Sequence, residues 1–150
     1  MTAPIQDART QVISFVLFPE MMGLPLHYVE KVVEAGELSF IPRVPSFIRG
    51  ALNQQGKIVA VLDLRDFLGM SSAEITSDSR ILILASQVFH LGFLVDRVER
   101  IESVPLKGHL VQSPEADSLP YISKIINLGG RILNLLDVDK LLGEIENYFI

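Results

Sequence analysis

The sequence predicts a mostly β protein: two small, strongly curled sheets related by internal duplication, with one helix at the C-terminus. Three observations carry this. Short runs rich in Val, Ile, Leu and Phe recur at 11–18, 23–34, 56–64, 80–87 and 89–103, separated by Gly, Pro, Ser and Asp, which is the composition and spacing of strands. Helical periodicity is confined to the last residues. Finally, the chain aligns with itself.

"QVISFVLF" (11–18) opens the protein as an apolar strand. "GLPLHYVEKVVE" (23–34) follows, alternating apolar and polar residues over 28–33 as a half-buried strand does. "VPSFIRGALNQQGKIVAVLDL" (44–64) reads as a proline-led turn, a glycine-marked hairpin and a second strand. The polar stretch "SSAEITSDS" (71–79) has no apolar face and marks a junction. "RILILASQ" (80–87) and "FHLGFLVDRVERIES" (89–103) resume the strands, the latter alternating over 97–101. The long segment 103–120 is either a binding loop or mobile surface. At the end, Asp137 is placed to cap a helix with Val138, Leu141, Leu142 and Ile145 on one face.

The self-alignment is specific. "FIRGALNQQGKIVAVLDLRDFLG" (47–69) matches "YISKIINLGGRILNLLDVDKLLG" (121–143) without a gap, with 8 of 23 pairs identical at an offset of 74. The pairs include Asn53/Asn127, Gly56/Gly130 and Asp63/Asp137. Upstream, an offset of 69 pairs Gly23 with Gly92 and "VEKV" (29–32) with "VERI" (98–101). Similar strand composition does not explain Asn-x-x-Gly at one point of both halves, whereas duplicated units keep their turn residues. The expectation is a single domain, 1–150, with approximate repeats 11–70 and 80–143, each forming one β subdomain. Such units either close into barrels or lean on each other, and two side by side leave a groove.

Composition narrows the function. At 150 residues, 49% hydrophobic and 21% charged, the chain is long and apolar enough to bury a core. Its net charge of −5 argues against nucleic acid or anionic lipid as the main partner. It has no cysteine, so disulfides, thiolate metal sites and cysteine nucleophiles are excluded. "MTAPIQDART" is not a secretory signal, and no apolar run approaches the roughly 20 residues of a membrane span, so a cytoplasmic location is expected. His27, His90 and His109 are scattered, and no nucleophile elbow, dinucleotide or phosphate-loop motif occurs. Asp63 and Asp66 suggest a carboxylate pair, but Asp137 repeats Asp63 in the other half, which points to a cap. Nothing here supports catalysis, a metal or a cofactor. A small ligand-binding β domain is the rival from another class, although the groove strands offer mostly Val, Leu and Ile rather than convergent polar groups.

The stretch "VPSFIRGALNQQGKIVAVLDLRDFLG" (44–69) resembles the signature of the CheW-like family of bacterial chemotaxis coupling proteins, in Pro45, Phe47, Ile48, Gly50, Asn53, Gly56, Ile58, Val59, Val61, Leu62, Asp63 and Leu64. The flanks agree, and the likeness runs over nearly the whole chain. The resemblance implies two SH3-like five-stranded β-barrel subdomains and a non-enzymatic adaptor. Its implied partners are the helical tip of a chemoreceptor and the regulatory domain of a CheA-type histidine kinase. Weak homo-association and recruitment to membrane-associated receptor arrays also follow, without direct membrane insertion.

The contact residues the resemblance implies are Val29, Lys31, Val32, Arg49, Gln55, Val98 and Ile101, with Gly50, Asn53 and Gly56 shaping the backbone. Two departures stand out. The family usually carries Arg where this chain has Gln55 and often Glu where it has Lys31, opposite charges near each other beside the receptor-facing surface. Here one is neutral and the other inverted, and Gln55 cannot supply the bidentate fork of an arginine. Either an exposed pair of little energetic weight has drifted, or partner choice has changed, as toward a non-standard receptor, a surface-motility pathway or an accessory array role.

Overall fold

The computed structural model describes residues 9–85, 90–105 and 121–148. The described chain forms β1 (Arg9–Leu17), β2 (Glu20–Pro25), a single 3₁₀ turn (Leu26–Tyr28), β3 (Val29–Glu34), β4 (Ile48–Gln54), β5 (Lys57–Asp63) and α1 (Leu64–Phe67). The pattern then repeats as β6 (Arg80–Leu84), β7 (Leu91–Val95), β8 (Arg97–Pro105), β9 (Ile122–Leu128), β10 (Arg131–Leu136) and α2 (Val138–Asn147). Sheet A runs β8-β1-β2-β10-β9 and sheet B runs β3-β6-β7-β5-β4.

The mostly β architecture of two five-stranded sheets and a C-terminal helix is as the sequence predicts. The sheets, however, are not the two sequence halves. Each half lends its first hairpin to the other's sheet: β1 pairs with β8 and β2 lies parallel to β10, while β6 pairs with β3 and β7 lies parallel to β5. The run 23–34 is correspondingly two strands in different sheets, broken at Leu26–Tyr28, and 89–103 is two strands broken at Asp96. Passing from one sheet to the other needs no chain reversal, so no Gly-Asn turn marks the break.

Neither ladder closes into a continuous barrel among the described residues. In sheet B an isolated bridge between Ser39 and Ala51, with N–O distances of 2.9 and 2.8 Å, folds the chain after β3 back over β4. Gly50 makes this approach possible. Its φ is +149°, and a Cβ there would lie 2.6 Å from the Ser39 carbonyl oxygen.

Both faces of the central strands are buried, in strict alternation. The largest core lies between the sheets and joins Ile13, Phe15, Met22 and Leu24 of sheet A to Leu62, Leu82, Leu84 and Phe93 of sheet B. On the far side of sheet B, Val61, Ile81, Ile83 and Leu94 form a second core; beyond sheet A, Val12, Val104, Ile126, Leu133 and Leu135 form a third. The helix α2 buries Val138, Leu141 and Ile145 in the central core. Its N-cap, Asp137, accepts the Lys140 N–H at 3.1 Å, and Asp63 caps α1 by accepting the Asp66 N–H.

Candidate partner-binding groove

Strands β3 and β8 are edge strands, one in each sheet. Register fixes which face each side chain occupies. Val29 lies opposite Leu84 and Val32 opposite Leu82, both leucines of the central core. On β8, Val98 lies opposite Phe15 and Ile101 opposite Ile13, again central-core residues. All four therefore sit on inter-sheet faces. The 3₁₀ turn before β3 packs against β1, the partner of β8.

A detail of the backbone makes this possible. In a regular strand, residues i and i+3 face opposite ways. Here the ladder register shifts between Val29 and Lys31, and between Ser14 and Phe15 opposite the 98–100 segment of β8. These bulges at Glu30 and Glu99 bring Val29 and Val32, and likewise Val98 and Ile101, onto a shared face. Val29 and Val98 pack on the core, while Val32 and Ile101 are 39% and 56% exposed. Exposed Glu30 and Glu34 lie beside Val32 on β3, whereas exposed Arg97 and Arg100, opposite Val16 and Ser14, are on the other face of β8 from Val98 and Ile101. Each edge strand thus presents two apolar side chains on its inter-sheet face, a form suited to the apolar stripe of a helix.

The other residues singled out from the sequence lie elsewhere. Lys31 is opposite Ile83, on the face of β3 turned toward the second core. Arg49 points inward: its Nη1 donates to Asp63 Oδ2 at 2.9 Å and to the Ala73 carbonyl at 2.7 Å. Gln55 and Gly56 form the exposed tip of the β4–β5 hairpin with φ of 53° and 83°, and Asn53 Oδ1 accepts the Gly56 N–H at 3.1 Å. No hydrogen bond or ion pair joins Lys31 to Gln55. His109 and most of the segment 103–120 lie outside the described residues, as do the last two residues of the apolar tail 147–150.

Sequence reasoning missed the pairing of Glu102 on β8 with Arg131 at the start of β10, where both guanidinium nitrogens donate, at 3.1 and 3.2 Å. The Arg131 hydrogen bonds hold the Glu102 carboxyl below its usual range, against an opposing push from burial. It also missed Tyr28, whose hydroxyl donates to Asp139 Oδ1 at 2.9 Å; burial and this bond push the phenol upward. Among the described residues, no group of three His, Asp or Glu side chains is arranged to hold a metal, and no helix is long and apolar enough to cross a membrane.

The family model described as CheW-like domain matches residues 11–146. The chain belongs to this family. It is 29% identical over 136 residues to the chemotaxis protein CheW of Thermotoga maritima, covering 90% of this chain and 89% of that one. Protein FrzA of Myxococcus xanthus is 30% identical over 124 residues, covering 81% and 78% of the two chains. The crystal structure of the scaffolding protein TtCheW from Thermoanaerobacter tengcongensis superposes with a TM-score of 0.72 at 25% identity, over 91% of this chain and 89% of that one. Both copies of the repeated unit are needed to complete either sheet.

Proposed function

We propose that this chain is a non-enzymatic adaptor that couples a chemoreceptor to a CheA-type histidine kinase, working on the cytoplasmic side of membrane-associated receptor arrays. The observation that carries the reading is the apolar inter-sheet face of the edge strands β3 and β8 in a member of the CheW-like family, read as the two walls of one cleft. Its four apolar side chains offer a receptor helix a strip to bury. The regulatory domain of the kinase would engage a separate surface, leaving the cleft free. Weak association between copies is compatible with the same arrangement.

A second reading is favoured by one observation: Lys31 and Gln55 form no ion pair. On this reading the chain is a CheW-like scaffold whose partner choice differs from that of its relatives and that serves a surface-motility or accessory role. Titration calorimetry against the regulatory domain of each CheA-type kinase of the same genome, and against a soluble receptor-tip bundle, separates the two. Coupling predicts binding to one kinase and one receptor, with Ile101→Asp weakening only the receptor. A scaffold outside kinase control predicts no kinase binding at all. Restoring Lys31→Glu and Gln55→Arg together then tests specificity: unchanged affinities for every partner would remove that element.

A further inference from the structure

Each passage of the chain between sheets ends at the first residue of a groove strand. Leu26–Tyr28 carries it from β2 to β3, and Asp96 from β7 to β8. Both passages are tied to a helix, at the same position: the second residue after its N-cap aspartate. After Asp63 this is Arg65, and after Asp137 it is Asp139, equivalent at the repeat offset of 74.

The two ties differ in strength. Arg65 makes four bonds. Its Nη1 donates to Asp96 Oδ2 at 3.0 Å and to the Phe18 carbonyl at 2.7 Å, and its Nε and Nη2 donate to Ser71 O and Oγ at 2.9 and 3.0 Å. Asp96 adds two more, accepting the Phe18 N–H at 2.8 Å and donating its own N–H to the Val16 carbonyl at 3.1 Å. The entry to β8 is thus fastened to β1 and its turn, to α1 and, through Arg65, to the inter-repeat junction. Among the described residues the entry to β3 has one side-chain bond, from the Tyr28 hydroxyl to Asp139, besides the Ala85 N–H donated to the Tyr28 carbonyl.

We propose that Arg65–Asp96 and Tyr28–Asp139 are positioning contacts that set the separation of β3 from β8, with the Tyr28 contact as the compliant side through which the groove adjusts its width. The inference rests on the reading that the groove takes a partner helix, but the geometry it asserts is measurable without one. Helix seating depends on wall spacing, and a contact that fixes the wall before binding removes an ordering cost from association. A groove with one rigid wall and one sprung wall keeps its register while accommodating helices of different girth.

The chain has no cysteine, so cysteines placed at Val32 and Ile101 report only the groove. Spin labels at these two sites, read by pulsed dipolar spectroscopy, give the wall-to-wall distance distribution. In this background Tyr28→Phe removes only the hydroxyl and is expected to broaden the distribution. Asp96→Asn, which keeps an acceptor for the Phe18 N–H, is expected to shift it less. Asn127→Ala serves as a control, since it removes the Asn127 Oδ1 bond to the Gly130 N–H at the β9–β10 hairpin tip and touches neither positioning contact. A distribution unchanged in Tyr28→Phe, or one broadened equally by Asn127→Ala, overturns the proposal. Affinity of Tyr28→Phe without spin labels for the soluble receptor-tip bundle is expected to fall about fivefold, the equivalent of one hydrogen bond. If the distribution broadens and the affinity holds, the positioning role stands and the receptor reading of the groove fails; if affinity falls with an unchanged distribution, the positioning role fails.

Discussion

The two repeats place the same residues at the same points, and the surroundings give them different tasks. Asp63 and Asp137 both follow an apolar strand, both cap a helix, and both donate a backbone N–H to an aromatic residue's carbonyl, Phe47 at 2.6 Å and Tyr121 at 2.7 Å. There the likeness stops. Asp63 is fully buried and also receives Arg49 and the Ala73 N–H, each at 2.9 Å. The second repeat has Ser123 where the first has Arg49, and its hydroxyl donates to the Leu135 carbonyl instead. Likewise Gly50, pressed against Ser39, is matched by Lys124. Sheet B has thus spent its signature segment on an internal tie between hairpin, helix and junction. In sheet A the ion pair Glu102–Arg131 joins β8 to β10 instead, through residues that are not the repeat equivalents of Arg49 and Asp63.

If this contrast is right, the largest effect belongs to Asp63. Asp63→Ala leaves Arg49 and the Ala73 N–H without their acceptor and should cost about 3 kcal/mol in urea unfolding. Asp137→Ala should cost about 1 kcal/mol, the usual value of a helix cap. Equal losses would mean that the Arg49 tie contributes nothing beyond capping.

The next effect is smaller and depends on pH. The folded state holds the Glu102 carboxyl below its ordinary value of 4.5, so its contribution is present above that value and is lost as pH falls through the folded pKa. The pair is partly exposed, and ~0.5 kcal/mol is the appropriate scale. Wild type should therefore exceed Glu102→Gln in stability at pH 7, and the gap should close on acidification below pH ~4. A gap that persists in acid would assign the effect to packing rather than to charge.

An effect of similar size concerns the hairpin tips. Gln55 and Gly129 are repeat equivalents with φ of 53° and 64°, a region that suits glycine. Gln55→Gly should raise the thermal midpoint, by the equivalent of about 0.5–1 kcal/mol, and Gly129→Gln should lower it by a similar amount. Same-signed shifts would break the equivalence of the tips.

What the sequence made legible follows the range of the interactions. Asn53 and Asn127 bond the Gly56 and Gly130 N–H three residues on, and Asp63 and Asp137 bond N–H groups three residues on. Such short-range bonds leave a residue pattern, so turns, caps and the duplication could be read directly. The exchange of hairpins between halves left none, because β1 is equally apolar whether it pairs with β8 or with β6. The groove was half visible: Val29, Val32, Val98 and Ile101 stand out by repetition, but the bulges at Glu30 and Glu99 that turn them to one side have no signature of their own. Lys31 and Arg49 were drawn toward the groove by resemblance, whereas register places one on the other face and a buried carboxylate claims the second. Tyr28, Arg65, Asp96 and Asp139 meet across long stretches of chain, and only the matched offset of Arg65 and Asp139 hinted at them.

The exchange of hairpins has a consequence for synthesis. Sheet B gains its last strand once β7 has been made, while sheet A waits for β10. Until Leu136 emerges, β2 lacks its parallel partner β10, and Val12 of the neighbouring β1, fully buried in the finished protein, lacks Leu133 and Leu135, with which it is buried. The nascent chain therefore carries a sticky, half-built ladder for most of its elongation, and a ribosome that stalls beyond residue 95 releases one complete sheet joined to an orphaned hairpin. Such a fragment would invite pairing with the same hairpin of a neighbouring chain, so the timing of translation bears on the solubility of this protein.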